Sequence, residues 1–517
     1  MKKEKTTKEL FLNADSPADR AVQQKLIRAV NDALLKGEAP EEDEIEIFIE
    51  DALGSSPVSM RKARKLLNMT GAYTLRDGAL TYNDELTVDG KKIGLREFAD
   101  LFLERTKILD LDTSSRNAVL SGTAWTMSAV LLARDNSFQG LPAFYSCDGD
   151  KDSLIGINVA ETATSDALSI LCRFPDNTLN CGKPADEIIE CIDFLTEKTI
   201  ALQCGEPGWD QGGFYPKEDQ PESYHPTVDA TCLAVISLCA LYENKNGIEA
   251  AIGKTLSVEN GMIEAAVLGG LDFLFRMQRP DGSFGIYRYE TGLSALPSEN
   301  CTRIAQSTMG VCKGSGVFDN TERFDMYPAC SKVIADTYGY LTSHTADAGD
   351  YSIWAPYFGK RAMDYSAADA AVSASRVCRS FIPVWWQMED QRENITRYNR
   401  DFLRFWRDNL NGIENKVGRY RFNSPAKDGF SVGEYFWPAR ADMLSAFSVL
   451  LAHNEFELEL SDGDWKMIED TVRRTLELQH PHGHWDNPLA VKTPFSAVTL
   501  AAIELLQEYR KAKGLDK

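Results

Sequence analysis

Residues 270–285 read GLDFLFRMQRPDGSFG, and the same succession of residue types recurs twice elsewhere in the chain. Residues 192–214, IDFLTEKTIALQCGEPGWDQGGF, and residues 470–488, DTVRRTLELQHPHGHWDNP, also carry an amphipathic stretch that ends in Gln, with an aromatic six residues later. The pairs are Gln278 and Phe284, Gln203 and Trp209, and Gln479 and Trp485; Gly282, Gly208 and Gly483 stand one or two positions before the aromatic. After each turn comes a polar cap and a strongly apolar segment, namely SENCTRIAQSTMGVC (298–312), HPTVDATCLAVISLCALY (225–242) and KTPFSAVTLAAIELLQEY (492–509).

A repeat of this kind is a helix–turn–helix unit. Glycine admits the positive φ of a tight helix stop, and Ser or Thr caps the following helix. That second helix is apolar around so much of its circumference that it must lie inside. One unit cannot bury it alone, so several must stand side by side. The expected fold is all-α: an α/α toroid, a double-layered helical barrel, with an additional N-terminal helical domain. In that arrangement the Gln and the turn aromatic supply a hydrogen bond and a stacking contact that tie one unit to the next.

Outside the repeats the chain is rich in helical periodicity, as in ADRAVQQKLIRAVNDALL and FADLFLERTKILDL. Residues 1–60 read as short acidic helices, residues 61–189 as a helical domain and residues 190–517 as the toroid. The stretch GALTYNDELTVDGKKIG has the alternation and Asp-Gly turn of a small hairpin. In LDLDTSSRNAVLSGTAWTMSAVLL, Asp110 and Asp112 precede another apolar helix and read as cap or first-turn acids.

The 517 residues include 77 Asp and Glu against 56 Lys and Arg, a formal net charge of -21. Such a surface repels phosphate polymers and anionic membranes, so nucleic acid is excluded as the expected partner. No apolar run has the length of a signal peptide core or a membrane span, and the chain reads as cytoplasmic. The 11 cysteines lie in apolar helical segments without zinc-ribbon spacing, which suits small buried hydrophobes.

QRPDGSFG and QHPHGHWD resemble the QW repeats of the terpene cyclase and prenyltransferase toroid superfamily, with QCGEPGW as a looser match. The order of segments over about residues 190–517 is similar to squalene–hopene cyclases and bacterial class II diterpene cyclases. In those enzymes an Asp-x-Asp-Asp-Thr motif opens an inner helix, and its middle acid protonates an alkene or epoxide. The matching residues here are Thr227-Val228-Asp229-Ala230-Thr231, with the middle acid kept as Asp229 and both flanking acids replaced. The resemblance therefore implies Asp229 as catalytic acid, held protonated in an apolar cavity, and Thr227 and Thr231 beside the substrate. Trp385 and Trp386, in the aromatic-rich SFIPVWWQMED, either line an apolar cavity of this kind or belong to the core beside an Arg-laced helix face.

The substrate so implied is an isoprenoid, with Mg2+ entering only if it is a diphosphate. A second reading follows from the missing acids: a toroid without catalysis that binds an apolar ligand or a protein partner. A minor alternative is an (α/α) barrel carbohydrate-active enzyme, to which GWDQGGFYPKED and YFWPARADM contribute carboxylates and aromatics. His225, Asp229 and Cys232 also offer the residue types of the prenyltransferase zinc site, and His480, His482 and His484 offer alternating imidazoles. For both, helix-start and turn residues are the plainer account.

Overall fold

The computed structural model describes residues 17–53, 59–76, 79–88, 91–147, 154–159, 161–216, 225–287, 297–348, 351–354, 367–413, 417–423, 432–452, 460–480, 482–485 and 496–515. The chain divides into two compact units, Met1–Thr113 and Ser114–Lys517.

The first unit holds α1 (Pro17–Lys36), α2 (Ile45–Leu53), α3 (Met60–Met69), the hairpins β1–β2 (Tyr73–Arg76, Ala79–Tyr82) and β3–β4 (Thr87–Val88, Lys91–Lys92), and the beginning of α4 (Leu95–Asp135). In α2 the residues Ile45, Ile49 and Leu53 recur every four positions and are all buried, which is why IEIFIEDAL is a helix despite its three acids. They join Leu26, Leu66 and Phe98 in one core. The Tyr73 hydroxyl donates to Asn31 Oδ1 at 2.8 Å within it. Asp110 and Asp112 lie inside the unbroken α4 rather than at a helix start, so their role as cap or first-turn acids is corrected.

The second unit is an α/α barrel. Its inner helices are α5 (Glu161–Arg173), α8 (Val228–Ile252), α10 (Glu299–Gly314), α13 (Ala367–Val384), α15 (Ala439–Ala452) and α17 (Ser496–Ala512). Each packs on the next, and α17 packs back on α5, so the ring closes. Outer helices alternate with them: the part of α4 from Ser114, α7 (Ala185–Ala201), α9 (Asn260–Met277), α12 (Met326–Ser343), α14 (Arg392–Ile413) and α16 (Asp462–Glu477), with short α6 (Pro175–Asn180) and α11 (Val317–Asn320) between layers. The layers follow from patterning. Ala439 to Leu451 of α15 are all buried, whereas α16 buries only a stripe that includes Met467, Ile468 and Val472.

Closure brings the second half of α4 and all of α5 into the barrel, so the barrel begins well before residue 190. Three further hairpins, β5–β6 (Pro142–Cys147, Leu154–Val159), β7–β8 (Ala346–Ala348, Tyr351–Ile353) and β9–β10 (Val417–Asn423, Val432–Pro438), interrupt what the sequence presents as all helix. Each lies just before an inner helix. Strict alternation of outer and inner helices makes the inner ones parallel, so these hairpins all stand at one end of the barrel.

The repeat turns carry the joints. The Gln203 side-chain amide donates to Gly212 O (2.9 Å) and to Ala266 O on α9 (2.8 Å); that of Gln479 donates to Gly483 O (2.7 Å) and to Ala118 O on α4 (2.9 Å). Gln278 makes no such bond; its backbone N–H closes α9 on Leu274 O. After each turn an aromatic N–H donates to an inner-helix threonine: Phe214 to Thr231 (2.9 Å), Phe284 to Thr302 (3.0 Å), Trp485 to Thr499 (3.2 Å). The equivalent of Phe284 and Trp485 is therefore Phe214, fully buried, and not Trp209, which is 44% exposed. The corresponding glycine is Gly212, not Gly208.

Gly212, Gly282 and Gly483 have φ of 83°, 87° and 104°. A Cβ at these positions would meet Gly269 O at 2.2 Å, Asp336 O at 2.5 Å and Ser121 O at 2.4 Å, each on the next outer helix. Gly483→Ala is expected to destabilise the fold by about 2 kcal/mol or more, through backbone collision and a strained φ. Gly205→Ala, where an added Cβ meets nothing within 4 Å, should stay within about 0.5 kcal/mol. Equal midpoints for the two variants in chemical denaturation would show that the joint bears no load.

Candidate active site

The parallel inner helices point their amide-rich ends at the face that carries the long turns and hairpins. Entry to α8 builds the first element of the site. The Thr227 hydroxyl caps Ala230 N (3.4 Å), Thr231 Oγ1 donates back to Thr227 O (2.7 Å), and the N–H of Val228 donates to Ile286 O (3.0 Å). That last bond brings the neighbouring Tyr287 beside His225. His225 Nδ1 lies 2.7 Å from Asp210 Oδ2, the Tyr287 hydroxyl donates to Asp210 Oδ1 at 2.9 Å, and the two rings stack with centroids 4.4 Å apart. Tyr287 is buried, while His225 keeps 29% side-chain exposure. With Nδ1 committed to Asp210, the basic atom of the neutral imidazole is Nε2. Trp209 precedes Asp210 directly and is exposed.

Behind this rim the ring interior is charged. Glu299, the first residue of α10, is fully buried, and Asp442, in the first turn of α15, accepts from Arg376 Nε of α13 at 3.0 Å. Burial pushes the Glu299 carboxyl up to about 7, against the pull of Arg376 and Arg303 and with a further push from Asp442. Burial likewise draws the Arg303 guanidinium down to about 10, helped by Arg376. A second charged group, deeper along α13, joins Glu504 of α17 to Arg173 of α5 and Arg379 of α13, with the Ser445 hydroxyl of α15 donating to Glu504 at 3.4 Å.

Several expectations change here. Asp229 does sit in the first turn of α8, half-buried, with Thr227 as the cap and Thr231 one turn in. Trp385 and Trp386 follow the C-terminus of α13 and so lie at the opposite end of the barrel; Trp385 stacks under Arg392 at 4.4 Å and Trp386 is exposed. They line no cavity with Asp229. Cys232 is buried within α8 while His225 faces Asp210 and Tyr287, and the rings of His480, His482 and His484 stack on one another in their turn. Among the described residues no group of three His, Cys, Asp or Glu is arranged to hold a metal, and no helix is long and apolar enough to cross a membrane.

Sequence reading missed Tyr287, Glu299 and Arg376, and reached Asp210 and Asp442 only as unnamed carboxylates of GWDQGGFYPKED and YFWPARADM in the carbohydrate-active alternative. A signal for two of them exists: Glu299 and Asp442, like Asp229, are acids in the first turn of an otherwise apolar inner helix. The Asp210–His225–Tyr287 group has none, since its members are joined only by the fold.

No family model matches the chain, and no curated protein does. Among solved structures it is similar to a family 76 glycoside hydrolase (mannosidase) from Bacteroides thetaiotaomicron, with a TM-score of 0.45 and 10% identity over 77% of this chain and 99% of that one. It is similar to a family 88 glycosyl hydrolase from Bacteroides vulgatus, with a TM-score of 0.43 and 9% identity over 75% and 98%. A polysaccharide lyase gives a TM-score of 0.42 and 9% identity over 77% and 98%. Likenesses this distant concern the fold. The expected kinship with terpene cyclases is overturned: these structures are named for carbohydrate chemistry, and the ring interior holds arginines and carboxylates where a carbocation would require apolar and aromatic walls.

The raised Glu299 carboxyl has a measurable consequence. The folded protein holds a proton that the unfolded chain releases near 4.5, so stability falls as pH rises from there to about 7 and is level beyond. The shift corresponds to a ceiling on the order of 3 kcal/mol. Glu299→Gln should match wild type at about pH 5 and melt roughly 2 °C or more higher at about pH 8. A melting difference that does not change with pH would refute the buried protonated acid.

Proposed function

We propose that this chain is a carbohydrate-active enzyme of the α/α barrel type that cleaves glycosidic bonds at the end of the barrel where the inner helices begin. The observation that carries the reading is the Asp210–His225–Tyr287 group beside the exposed Trp209. A sugar ring needs an aromatic face for its apolar side and hydrogen-bonding groups for its edge, and Trp209 with its neighbours offers both. Bond cleavage needs a positioned acid or base, and a histidine whose far nitrogen is fixed by a carboxylate is one. Asp229, in the adjacent helix start with one carboxylate oxygen buried and unbonded, supplies a second carboxylate to the same face.

In this reading Asp210 orients the imidazole, His225 Nε2 exchanges the proton with the glycosidic oxygen or the sugar carbon, and Tyr287 holds Asp210 in place. Purified protein is to be incubated with a panel of neutral and acidic polysaccharides, reading new reducing ends and the ultraviolet absorbance of unsaturated products. The expected outcome is product from at least one glycan, with kcat/KM about 100-fold lower or worse in His225→Ala and KM raised about tenfold in Trp209→Ala. No product across the panel, or full activity in His225→Ala, would overturn the assignment.

A further inference from the structure

We propose that the Glu299–Arg303–Arg376–Asp442 cluster is a binding site for the carboxylate-bearing ring of an acidic saccharide, open to it only while Glu299 is protonated. The inference rests on the carbohydrate reading of the barrel and narrows it to a sugar acid.

Three features of the cluster point to a ligand. Glu299 and Arg303 are at least nine-tenths buried, yet among the described residues Nε of Arg303 has no hydrogen-bond partner and the Glu299 carboxyl has only the Ser373 hydroxyl at hand. Asp442 uses one carboxylate oxygen on Arg376 and leaves Oδ2 without a partner. Buried polar atoms are expensive unless bonded, so a molecule that satisfies them gains what the protein forgoes. The unpaired acceptors suit hydroxyl donors and the unpaired guanidinium N–H suits an anionic acceptor. A polyhydroxy acid presents both on one ring.

Charge leads to the same class. With Glu299 protonated, Arg303 and Arg376 set two positive charges against the single negative charge of Asp442, inside the ring and beside the starts of α10 and α15, whose amides also favour an anion. A carboxylate restores balance. When Glu299 ionises, the cluster is neutral by itself and a bound anion adds an unpaired charge. The groups that face Glu299 are Arg303 on its own helix, Ser373 and Arg376 on α13, and Asp442 on α15, with Arg379 of α13 acting on Arg303; α8 brings Asp229 at its start, and α12 on the outer layer carries Lys332 and Asp336 paired with each other. Since burial holds the Glu299 carboxyl near 7, the change falls between mildly acidic and mildly alkaline solution.

The test is isothermal titration of the full chain with glucuronate, glucose and acetate at about pH 6 and about pH 8.5. Glucuronate should bind about 30-fold more tightly at the lower pH, the ratio of protonated Glu299 at the two values. Glucose and acetate should each bind at least tenfold more weakly than glucuronate. Glu299→Gln, which cannot ionise, should keep the affinity and lose the pH dependence; Arg303→Gln should lose binding at both values, with its melting curve recorded to show that it is folded.

Equal binding of glucuronate at the two pH values, undiminished binding in a folded Arg303→Gln, or acetate as good as glucuronate would each overturn the proposal. Should glucuronate bind as expected while no glycan is cleaved, the cluster stands and the assignment of the barrel mouth falls. Cleavage of neutral glycans alone, with no glucuronate bound, has the opposite meaning.

Discussion

Each repeat can reach its neighbour only because one residue in its turn has no side chain. Gly212, Gly282 and Gly483 touch the backbone of the next outer helix at distances that no Cβ tolerates, and the last of them touches Ser121 of α4, where the ring began. This contact is backbone on backbone, so it fixes register more tightly than packed side chains, which have rotamers to spare. Gln203 and Gln479 add hydrogen bonds to the same joint, and the threonines that receive Phe214, Phe284 and Trp485 fix the height at which α8, α10 and α17 start. A common starting height is what gives the barrel a functional face. First-turn residues of different inner helices come level there, although they are far apart in the chain.

A ring whose inner helices are apolar toward their neighbours need not be apolar within. Ala439–Leu451 of α15 is buried throughout, yet it includes Asp442 in an ion pair with Arg376, and α17 carries Glu504 between Arg173 and Arg379. Buried ion pairs are poor stabilisers, because desolvation consumes most of the Coulombic gain. Replacing such pairs by well-packed hydrophobic residues of similar volume is often neutral or stabilising. Their concentration along the inside of a closed barrel is therefore better explained by what they bind or transform than by what they hold together.

The repeat was legible in the sequence because a helix-ending Gln and a turn glycine are local signals, and from them the barrel follows by counting apolar faces. The setting of the first repeat was not. Two glycine–aromatic pairs compete there, Gly208-Trp209 and Gly212-Gly213-Phe214, and only the folded contacts, the Phe214–Thr231 bond and the close approach of Gly212 to Gly269, decide between them. The hairpins before α5, before α13 and before α15 were also missed, since short strands of mixed polarity such as VGRYRFN leave a weak trace beside helical repeats of strong period. At Asp229 the difficulty was different in kind. An acid at the start of an inner helix is a property of this barrel, shared by Glu299 and Asp442, and reading it as the mark of one enzyme family took a feature of the fold for a feature of chemistry.

The rim and the interior are governed by one electrostatic arrangement. Six helix starts converge on the face that bears Asp210, His225 and Tyr287, and their partial positive charge favours anions on that side of the barrel. The surface of the protein is strongly negative overall, which opposes anions everywhere else. An acidic ligand is thus repelled from the outer wall and accepted only at the end where the helices begin, where Arg303 and Arg376 wait behind the rim. Neutral Glu299 completes that gradient and ionised Glu299 cancels it. The state of one carboxyl, set by its burial, decides whether the inside of the barrel attracts a negative group or is indifferent to it.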